Sequence, residues 1–423
     1  MAPALLGSHV DWTCPNCHFA FACDAEGAGE AAFVVCPNCG TRFTPDKPPA
    51  ILSGDRVLID RSAFQFRRPR RWEVVAFERS VEDAGLVVKR VVGLPDETIR
   101  IQNGDLWIHR PDQPEGYFEI VRKDLRQQRA MRILVHDDDR CGATPRWRPE
   151  DLGSNWTRHE GRLVHTESPD DEIGWIVYNH AAPGGNTDQS APITDYGYYN
   201  RGRMQRNEDI HPTPDVAMAF RLQDLHGRGM IWLRATDGRD EFMVQINPRT
   251  EKFTVVKNRK PLTDGSGSLP SPLRGETLEV SLIDRQFLLA VGSKTLFTAA
   301  IETPRPGVPG APPPVSNQPL AIGVQGLGAA LDRLRVYRDI YYNVPPGTAR
   351  EKAESVQVRP DEYFVLGDNS PISEDSRTWA EDRLIRPKSF AGKPFVVIYP
   401  ACGFSLGGWH IQVPDLTRIR YIR

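Results

Sequence analysis

The stretch of sequence that decides the fold is Val87-Val88-Lys89-Arg90-Val91-Val92-Gly93-Leu94-Pro95. Its β-branched residues predict a strand, and a run of valines is typical of a strand buried on both faces. Burial disfavours the charged form of an amine and lowers its pKa, so Lys89 is a candidate general base. The alternative is an edge strand whose Lys89 extends to water and discourages aggregation. Taken alone, the stretch favours the edge strand.

A second stretch reverses this preference. Gly367-Asp368-Asn369-Ser370-Pro371-Ile372-Ser373-Glu374-Asp375-Ser376-Arg377 follows the short predicted strand Tyr363-Phe364-Val365-Leu366. It is rich in turn residues and in hydroxyls and carboxylates that can position one another. With Gly54-Asp55-Arg56-Val57 and the lysine strand, it resembles the type I signal peptidases, the Ser/Lys endopeptidases that cut secretory signal peptides. The boxes stand in the family's order and cover roughly the first 110 and the last 80 residues.

The resemblance implies a role for four residues. Lys89 is the general base that takes the proton of a serine hydroxyl. Ser373 orients the lysine amine, and we expect the two side chains to lie within hydrogen-bond distance. Asp375 and Arg377 form an ion pair that supports the loop, while Asp368 and Asn369 shape the turn. No cofactor is expected in the catalytic reaction.

The nucleophile of such a dyad is not at its expected place. Met1-Ala2-Pro3-Ala4-Leu5-Leu6 is similar to the stretch that follows the family's serine, which puts the nucleophile directly before Met1. Ser8 lies beyond the proline and Ser53 opens the Gly-Asp strand, so neither takes that place. We therefore expect a signal peptidase that lacks the serine and the membrane helix ahead of it, and that does not cleave by itself. The alternative is a catalytically inactive binding protein on a peptidase scaffold.

Four cysteines predict a metal site. Cys14-Pro15-Asn16-Cys17 and Cys36-Pro37-Asn38-Cys39 are two C-x-x-C knuckles, each turned by Pro-Asn so that two thiolates converge. Four thiolates satisfy tetrahedral zinc, and the segment is expected to be a structural zinc ribbon. Two disulfides are the alternative, because the family's catalytic domain lies outside the cytoplasm.

Charge and hydropathy limit the partners. The 53 Lys and Arg residues nearly balance the 55 Asp and Glu residues, giving a net charge of −2. This balance argues against nucleic acid as a partner. No segment reaches the roughly 18 consecutive apolar residues of a membrane helix. By resemblance, the expected substrates are secretory preproteins, and the expected location is a bacterial-type cytoplasmic membrane, reached through the missing helix, with the catalytic domain on its outer face.

The middle of the chain predicts a second β domain. After a helix predicted at residues 122–134, short apolar runs alternate with Asp-Gly, Gly-Ser and Pro turns, which is typical of a β-sandwich or jelly roll. The closing run 334–340 is similar to that of laminin-G-like and concanavalin-like modules. Such modules often bind glycans, and the aromatic residues that could supply a glycan-binding or protein-binding face are Trp175, Tyr178, Tyr196, Tyr198 and Tyr199. Packing in the core or anchoring of a loop is the commoner role of such rings.

The predicted fold is therefore mainly β: a signal-peptidase-type catalytic domain interrupted by a zinc ribbon and a β-sandwich. The predicted divisions are a post-nucleophile segment at residues 1–8, the ribbon at 9–47, the catalytic domain at 48–112 and 344–423, and the sandwich with a leading linker at 113–343. A fragment of about residues 145–343 is expected to fold alone, because its strands pair among themselves.

Overall fold

The computed structural model describes residues 4–25, 33–45, 50–79, 85–151, 154–168, 172–185, 188–200, 210–301, 314–344, 355–379, 383–399, 401–406, 409–414 and 419–422. Within these residues the chain is mainly β, which confirms the predicted fold class. No helix in the described part of the chain is long and apolar enough to span a membrane.

The strands follow one another in four groups. The N-terminal group is β1 (His9–Thr13), β2 (Ala20–Asp24), β3 (Val34–Val35) and β4 (Arg42–Phe43). The next group is β5 (Arg56–Asp60), β6 (Val74–Glu78), β7 (Leu86–Gly93), β8 (Thr98–Gln102), β9 (Asp105–His109) and β10 (Glu119–Ile120), followed by the helix α1 (Leu125–Met131). The third is β11 (Ile133–Asp137), β12 (Trp147–Pro149), β13 (Trp156–His159), β14 (Arg162–His165), β15 (Gly174–Tyr178), β16 (Val216–Thr236), β17 (Glu241–Asn247), β18 (Lys252–Lys257), β19 (Lys260–Ser268), β20 (Thr277–Ile283), β21 (Gln286–Val291), β22 (Lys294–Ala300) and β23 (Leu320–Arg338). The last is β24 (Val356–Gln357), β25 (Phe364–Leu366), β26 (Phe390–Tyr399), β27 (Ala401–Leu406), β28 (Trp409–Pro414) and β29 (Arg420–Tyr421).

The lysine strand lies inside a six-stranded sheet. The strand order is β25-β7-β6-β26-β29, with β5 on the other part of β26. Antiparallel pairing places Lys89 opposite Val75 and Arg90 opposite both Val74 and Leu366. Burial rises along β7, from exposed at Leu86 to fully buried at its C-terminal end. β7 therefore has a hydrogen-bonded neighbour on each side along Arg90–Gly93, whereas Lys89 itself is paired within the sheet through Val75.

A four-stranded sheet extends the same domain. Its order is β10-β9-β8-β24, so a strand from before the insert and one from after it are held together. The β8–β9 hairpin turns at Asn103 and Gly104, whose φ angles of 53° and 88° suit the Asn-Gly turn predicted from the sequence. Ile340 and Tyr342, at the end of the insert, pack in the same core as Phe364.

The insert is built around two long strands. β16 has 21 residues and β23 has 19, and they pair along most of their length with three register shifts. β16 pairs with β20 through Val216–Arg221 and with β17 through Ile231–Thr236, so it contributes to both layers of the sandwich. Phe242 of β17 and Phe287 of β21 stack face to face, with ring centroids 4.6 Å apart, in the core.

Several predicted elements of the insert are corrected. The helix predicted at residues 122–134 is only Leu125–Met131, and Ile133–Asp137 is instead strand β11, paired with β23. The strands predicted at 216–222 and 230–234 are one strand, and the Leu320 strand continues through the run 334–340 as far as Arg338. These strands run through glycines and polar residues that the sequence marked as turns. Most of the Pro-rich loop at 303–319 lies outside the described residues.

Candidate functional site

Lys89, the predicted general base, and Ser373, the residue predicted to orient it, meet at the end of β25. Lys89 Nζ donates a hydrogen bond of 2.9 Å to Ser373 Oγ. β7 supplies the lysine, and the loop after β25 supplies the serine, 284 residues further along the chain. The contact expected from the sequence is therefore present. Among the described residues, Ser373 is the one hydroxyl that Lys89 Nζ contacts.

The surroundings of Lys89 favour the neutral amine. Burial lowers the pKa of Lys89 below its ordinary value, and it outweighs the opposing effect of the Asp375 carboxylate. Arg377, a second nearby cation, lowers the pKa further. The amine therefore loses its proton at lower pH than an exposed lysine, as a general base must.

Gly367 makes room for this contact. A Cβ atom at this position would lie 2.1 Å from Ser373 Oγ and 3.4 Å from Lys89 Nζ. The first of these distances is far inside van der Waals contact with the body of a buried loop. The glycine of the Gly-Asp-Asn box is thus required by close packing, so that the serine can approach the lysine.

The loop is fixed by a buried ion pair. Arg377 donates to both oxygens of Asp375, at 2.9 and 2.7 Å, and the two side chains are 2% and 0% exposed. The other guanidinium bonds go to Ser370 Oγ, Ser370 O and Asn343 O. Asp375 also accepts the Gly367 backbone N–H at 3.0 Å. Although burial raises the pKa of Asp375, the Arg377 guanidinium holds it below its ordinary value.

A second buried pair joins the loop to the lysine strand. Arg90 donates to Asp368 through Nε and Nη2, both at 2.9 Å, and Arg90 Nη1 donates to Trp72 O. Because Arg90 directly follows Lys89, this pair fixes the register of the loop against β7. Asp368, expected to shape the turn, thus also anchors it.

The insert reaches this loop through residues that the sequence analysis missed. Asn369 and Asn200 exchange two amide hydrogen bonds, at 2.9 and 2.5 Å. Asn343 bonds Ser370 through its backbone N–H and its side chain. No motif in the sequence marks Asn200 or Asn343, because both contacts depend on the tertiary position of the insert.

The N-terminal segment lies against the Gly-Asp box. Leu6 N donates to Asp55 Oδ2 at 3.0 Å, and Asp55 N donates back to Leu6 O at 2.8 Å. Arg420 ties Asp55 to the carbonyl of Ala4, with both bonds at 2.8 Å. Residues 1–3, beside the place expected for the nucleophile, lie outside the described residues.

The four knuckle cysteines converge on one point. Their sulfur atoms all lie within 4.8 Å of one another, and the Cys14–Cys39 and Cys17–Cys36 pairs are 3.6 Å apart. A disulfide needs about 2.05 Å, so the disulfide alternative is wrong. Tetrahedral ligation at a Zn–S distance of about 2.3 Å requires sulfurs about 3.8 Å apart. The donor set therefore fits a metal such as zinc.

The same knuckles dock the ribbon on the insert. Asn38 accepts the Asp137 backbone N–H at 2.6 Å and donates to the carbonyls of Asp137 and Arg140. Asn16 accepts the Ala143 backbone N–H at 3.1 Å. Each Pro-Asn pair that turns a knuckle thus also holds the neighbouring domain.

The five aromatic residues considered for a ligand-binding face lie in different surroundings. Tyr178 is 1% exposed and packs on Trp147 in the sandwich core, so it is not available to a ligand. Trp175 lies under the guanidinium of Arg234. Tyr196, Tyr198 and Tyr199 line a separate cavity between the ribbon and the insert. The five rings therefore do not form one surface.

Comparison with known proteins supports a peptidase domain. Residues 44–145 and 307–399 match the family described as "Signal peptidase, peptidase S26". A probable signal peptidase I-2 of Synechocystis sp. is 28% identical over 85 residues, which are 18% of this chain and 38% of that protein. Signal peptidase I of Leptolyngbya laminosa is 27% identical over 89 residues, 18% of this chain and 43% of the relative. The matches thus span less than half of the length of these curated relatives.

Two solved structures are similar to a larger part of the chain. A β-glucanase of Bacillus licheniformis is 12% identical with a TM-score of 0.32, covering 49% of this chain and 98% of its own. A carbohydrate-binding module of Bacillus subtilis is 10% identical with a TM-score of 0.29, covering 46% of this chain and 96% of its own.

Proposed function

We propose that this chain, whose outer segments match a signal peptidase domain, is a type I signal-peptidase-like endopeptidase that works through a Ser/Lys dyad. Its substrates are secretory preproteins, cut after the signal peptide on the outer face of a cytoplasmic membrane. The observation that carries the proposal is the hydrogen bond of 2.9 Å between Lys89 and Ser373, in a buried pocket that lowers the pKa of the lysine.

Lys89 is the general base. Its neutral amine takes the proton from a serine hydroxyl, and the serine oxygen attacks the scissile carbonyl. The peptide C–N bond breaks as the protonated lysine returns the proton to the leaving amine, and water, activated by the same amine, then hydrolyses the acyl-enzyme. Burial in the sheet favours the neutral amine. The resemblance places that serine directly before Met1, next to the segment that Asp55 and Arg420 hold.

Ser373 is a positioning residue. By accepting from Lys89 Nζ, its hydroxyl restricts the amine to one direction. Asp375 and Arg377 hold the loop that carries it, and they are too deeply buried to reach a substrate. Lys89 thus reacts, while the loop residues hold it in position. This division of roles explains why hydroxyls and carboxylates surround one base.

The cysteine cluster holds a structural zinc. Cys14, Cys17, Cys36 and Cys39 supply four thiolates and leave no open position for a substrate or a water. When bound, the metal contributes folding energy to the ribbon and no chemistry to the cleavage.

The test is cleavage of a purified preprotein by a chain extended with one Ser directly before Met1. This chain should cut after the signal peptide, and Lys89→Met should abolish cleavage, because it removes the amine that takes the proton. Ser373→Ala should lower kcat more than it changes KM. Lys388→Met is the matched control, since Lys388 is an exposed lysine of the same domain and should have no effect.

An extended chain that folds, contains the Lys89–Ser373 contact and still cuts no preprotein would contradict the proposal. It would instead favour the inactive binding scaffold. Cleavage that survives Lys89→Met would show that another residue is the base.

A further inference from the structure

A cavity of about 710 Å³ lies between the ribbon, the insert and the catalytic loop. Strands β1 and β2 form one wall, residues 195–199 of the insert another, and residues 368–371 a third. This volume is within the roughly 300–1,000 Å³ typical of ligand sites. The proposed catalytic mechanism makes no use of this space.

Aromatic rings dominate the walls of the cavity. Trp12, Phe19 and Phe21 come from the ribbon, and Phe19 and Phe21 stack with centroids 6.5 Å apart. Tyr196 and Tyr198 come from the insert and meet edge to face at 4.9 Å. Burial raises the pKa of both phenols, so these rings stay uncharged at neutral pH. The rings offer a ligand faces and edges for apolar contact.

Four polar side chains of the walls are already engaged inside the protein. Asn38 bonds backbone groups of the insert, and Asp195 accepts from the backbone and ring of His211. Arg338 donates to two backbone carbonyls, while Asp368 is paired with Arg90. A glycan or an anion needs polar groups that are free to turn toward it. This cavity therefore suits an uncharged, apolar ligand.

The cavity and the Lys89–Ser373 contact share one loop. Residues 368–371 line the cavity, and Ser373 of the same loop meets Lys89. Asn369, on the cavity wall, is held by Asn200 of the insert. The insert and the ribbon thus place an apolar surface beside the loop that carries Ser373.

We propose that this cavity binds an uncharged apolar stretch of the substrate polypeptide and so selects among preproteins. The inference rests on the proposed function, because it takes the occupant to be the polypeptide that the Lys89 loop processes. Signal peptides carry an apolar region of about 7–15 residues, which is the chemistry that these walls fit.

The experiment measures binding without cleavage. A fluorophore-labelled peptide of about seven Leu, Phe and Ala residues, blocked at both ends, is titrated with the full chain and with its Lys89→Met variant, and anisotropy is recorded. Both proteins should bind it equally and saturably. A peptide in which Ser replaces every Leu and Phe should not bind.

Filling the cavity should remove binding. Ala20 lines the cavity from an exposed position of β2, so Ala20→Trp adds a ring there without disturbing the core. Thr13→Trp, on the partner strand directly opposite, is a second variant of the same kind. Each should raise Kd by at least about tenfold. Ala300→Trp is the matched control, an exposed alanine at the end of β22 that does not line the cavity, and should leave Kd unchanged.

Several outcomes would overturn the inference: no saturable binding, equal binding of the serine peptide, unchanged Kd in folded Ala20→Trp and Thr13→Trp, or displacement of the peptide by a β-glucan oligosaccharide. None of these depends on cleavage. An active enzyme whose cavity does not bind the peptide therefore refutes this inference alone. A chain extended with Ser before Met1 that binds the peptide but cuts no preprotein refutes the proposed function instead.

Discussion

Replacing Arg377 with Met should loosen the loop that carries Ser373. The guanidinium makes two bonds to Asp375 and four to Ser370 and Asn343, all inside the protein. Arg377→Met leaves the Asp375 carboxylate buried without its cation. Breaking one side of a buried pair costs about 3–5 kcal/mol. At about 2–4 °C per kcal/mol, the Tm of the catalytic domain should fall by roughly 10 °C.

The Tm deficit of Arg377→Met should depend on pH, in a direction set by the pKa of Asp375. The pKa of Asp375 is lowered in the folded chain, so the pair stabilises above the ordinary aspartate pKa and its contribution is lost as pH falls. The deficit of Arg377→Met should therefore be largest at neutral pH and shrink in acid, where the lone carboxyl is protonated. Differential scanning calorimetry from neutral to acidic pH measures the Tm of the unmodified chain and the Tm of Arg377→Met.

The matched control is a surface pair of the same type. Arg68 and Asp361 lie 2.8 Å apart but are 70% and 67% exposed, so Arg68→Met should cost less than about 0.5 kcal/mol. If Arg377→Met and Arg68→Met shift the Tm equally, or if the Arg377→Met deficit does not depend on pH, the ion pair does not support the loop.

Three further predictions concern other parts of the molecule. Purified protein should carry about one zinc per chain, released by acid as the thiolates protonate; elemental analysis without zinc, with the thiols oxidised, would contradict this. Burial beside Asp284 raises the pKa of Asp105 to about 8, so its protonation stabilises the folded chain at low pH and that stability is lost as pH rises; Asp105→Asn should remove a fall of about 4 kcal/mol between pH 5 and 8 in urea unfolding. A fragment of residues 133–343 should be more stable by circular dichroism than residues 145–343, because β11 pairs with β23 and buries Val135; equal Tm values would show that β11 is dispensable.

Local sequence signals predicted more of the catalytic domain than of the insert. Valine runs and an Asn-Gly turn identify β7 and the β8–β9 hairpin, because their signals are contained within a few residues. The lysine and serine could be brought together only through the family resemblance. Nothing local links residues 284 positions apart.

The insert shows where local signals fail. β16 continues through His226-Gly227-Arg228-Gly229, which the sequence favours as a turn, because pairing with β23 satisfies the backbone on both sides of the bulge. Tyr178 is a core residue, and the sequence leaves open whether its ring packs inward or faces a ligand, since alternation in a short strand does not reveal which face packs inward. In the sequence, Asn200 is only an amide in a loop, because its contact with Asn369 depends on the tertiary fold.

The most direct test of the account is the titration of the Lys89 amine. The chain labelled with ¹³C at lysine Cε is followed by NMR as a function of pH, with Lys89→Met identifying the resonance. We predict that this amine titrates below the ordinary lysine pKa of about 10.4, and that Ser373→Ala changes its chemical shift. A Lys89 resonance that titrates with the exposed lysines and ignores Ser373→Ala would contradict the claim that Lys89 is the base of a dyad.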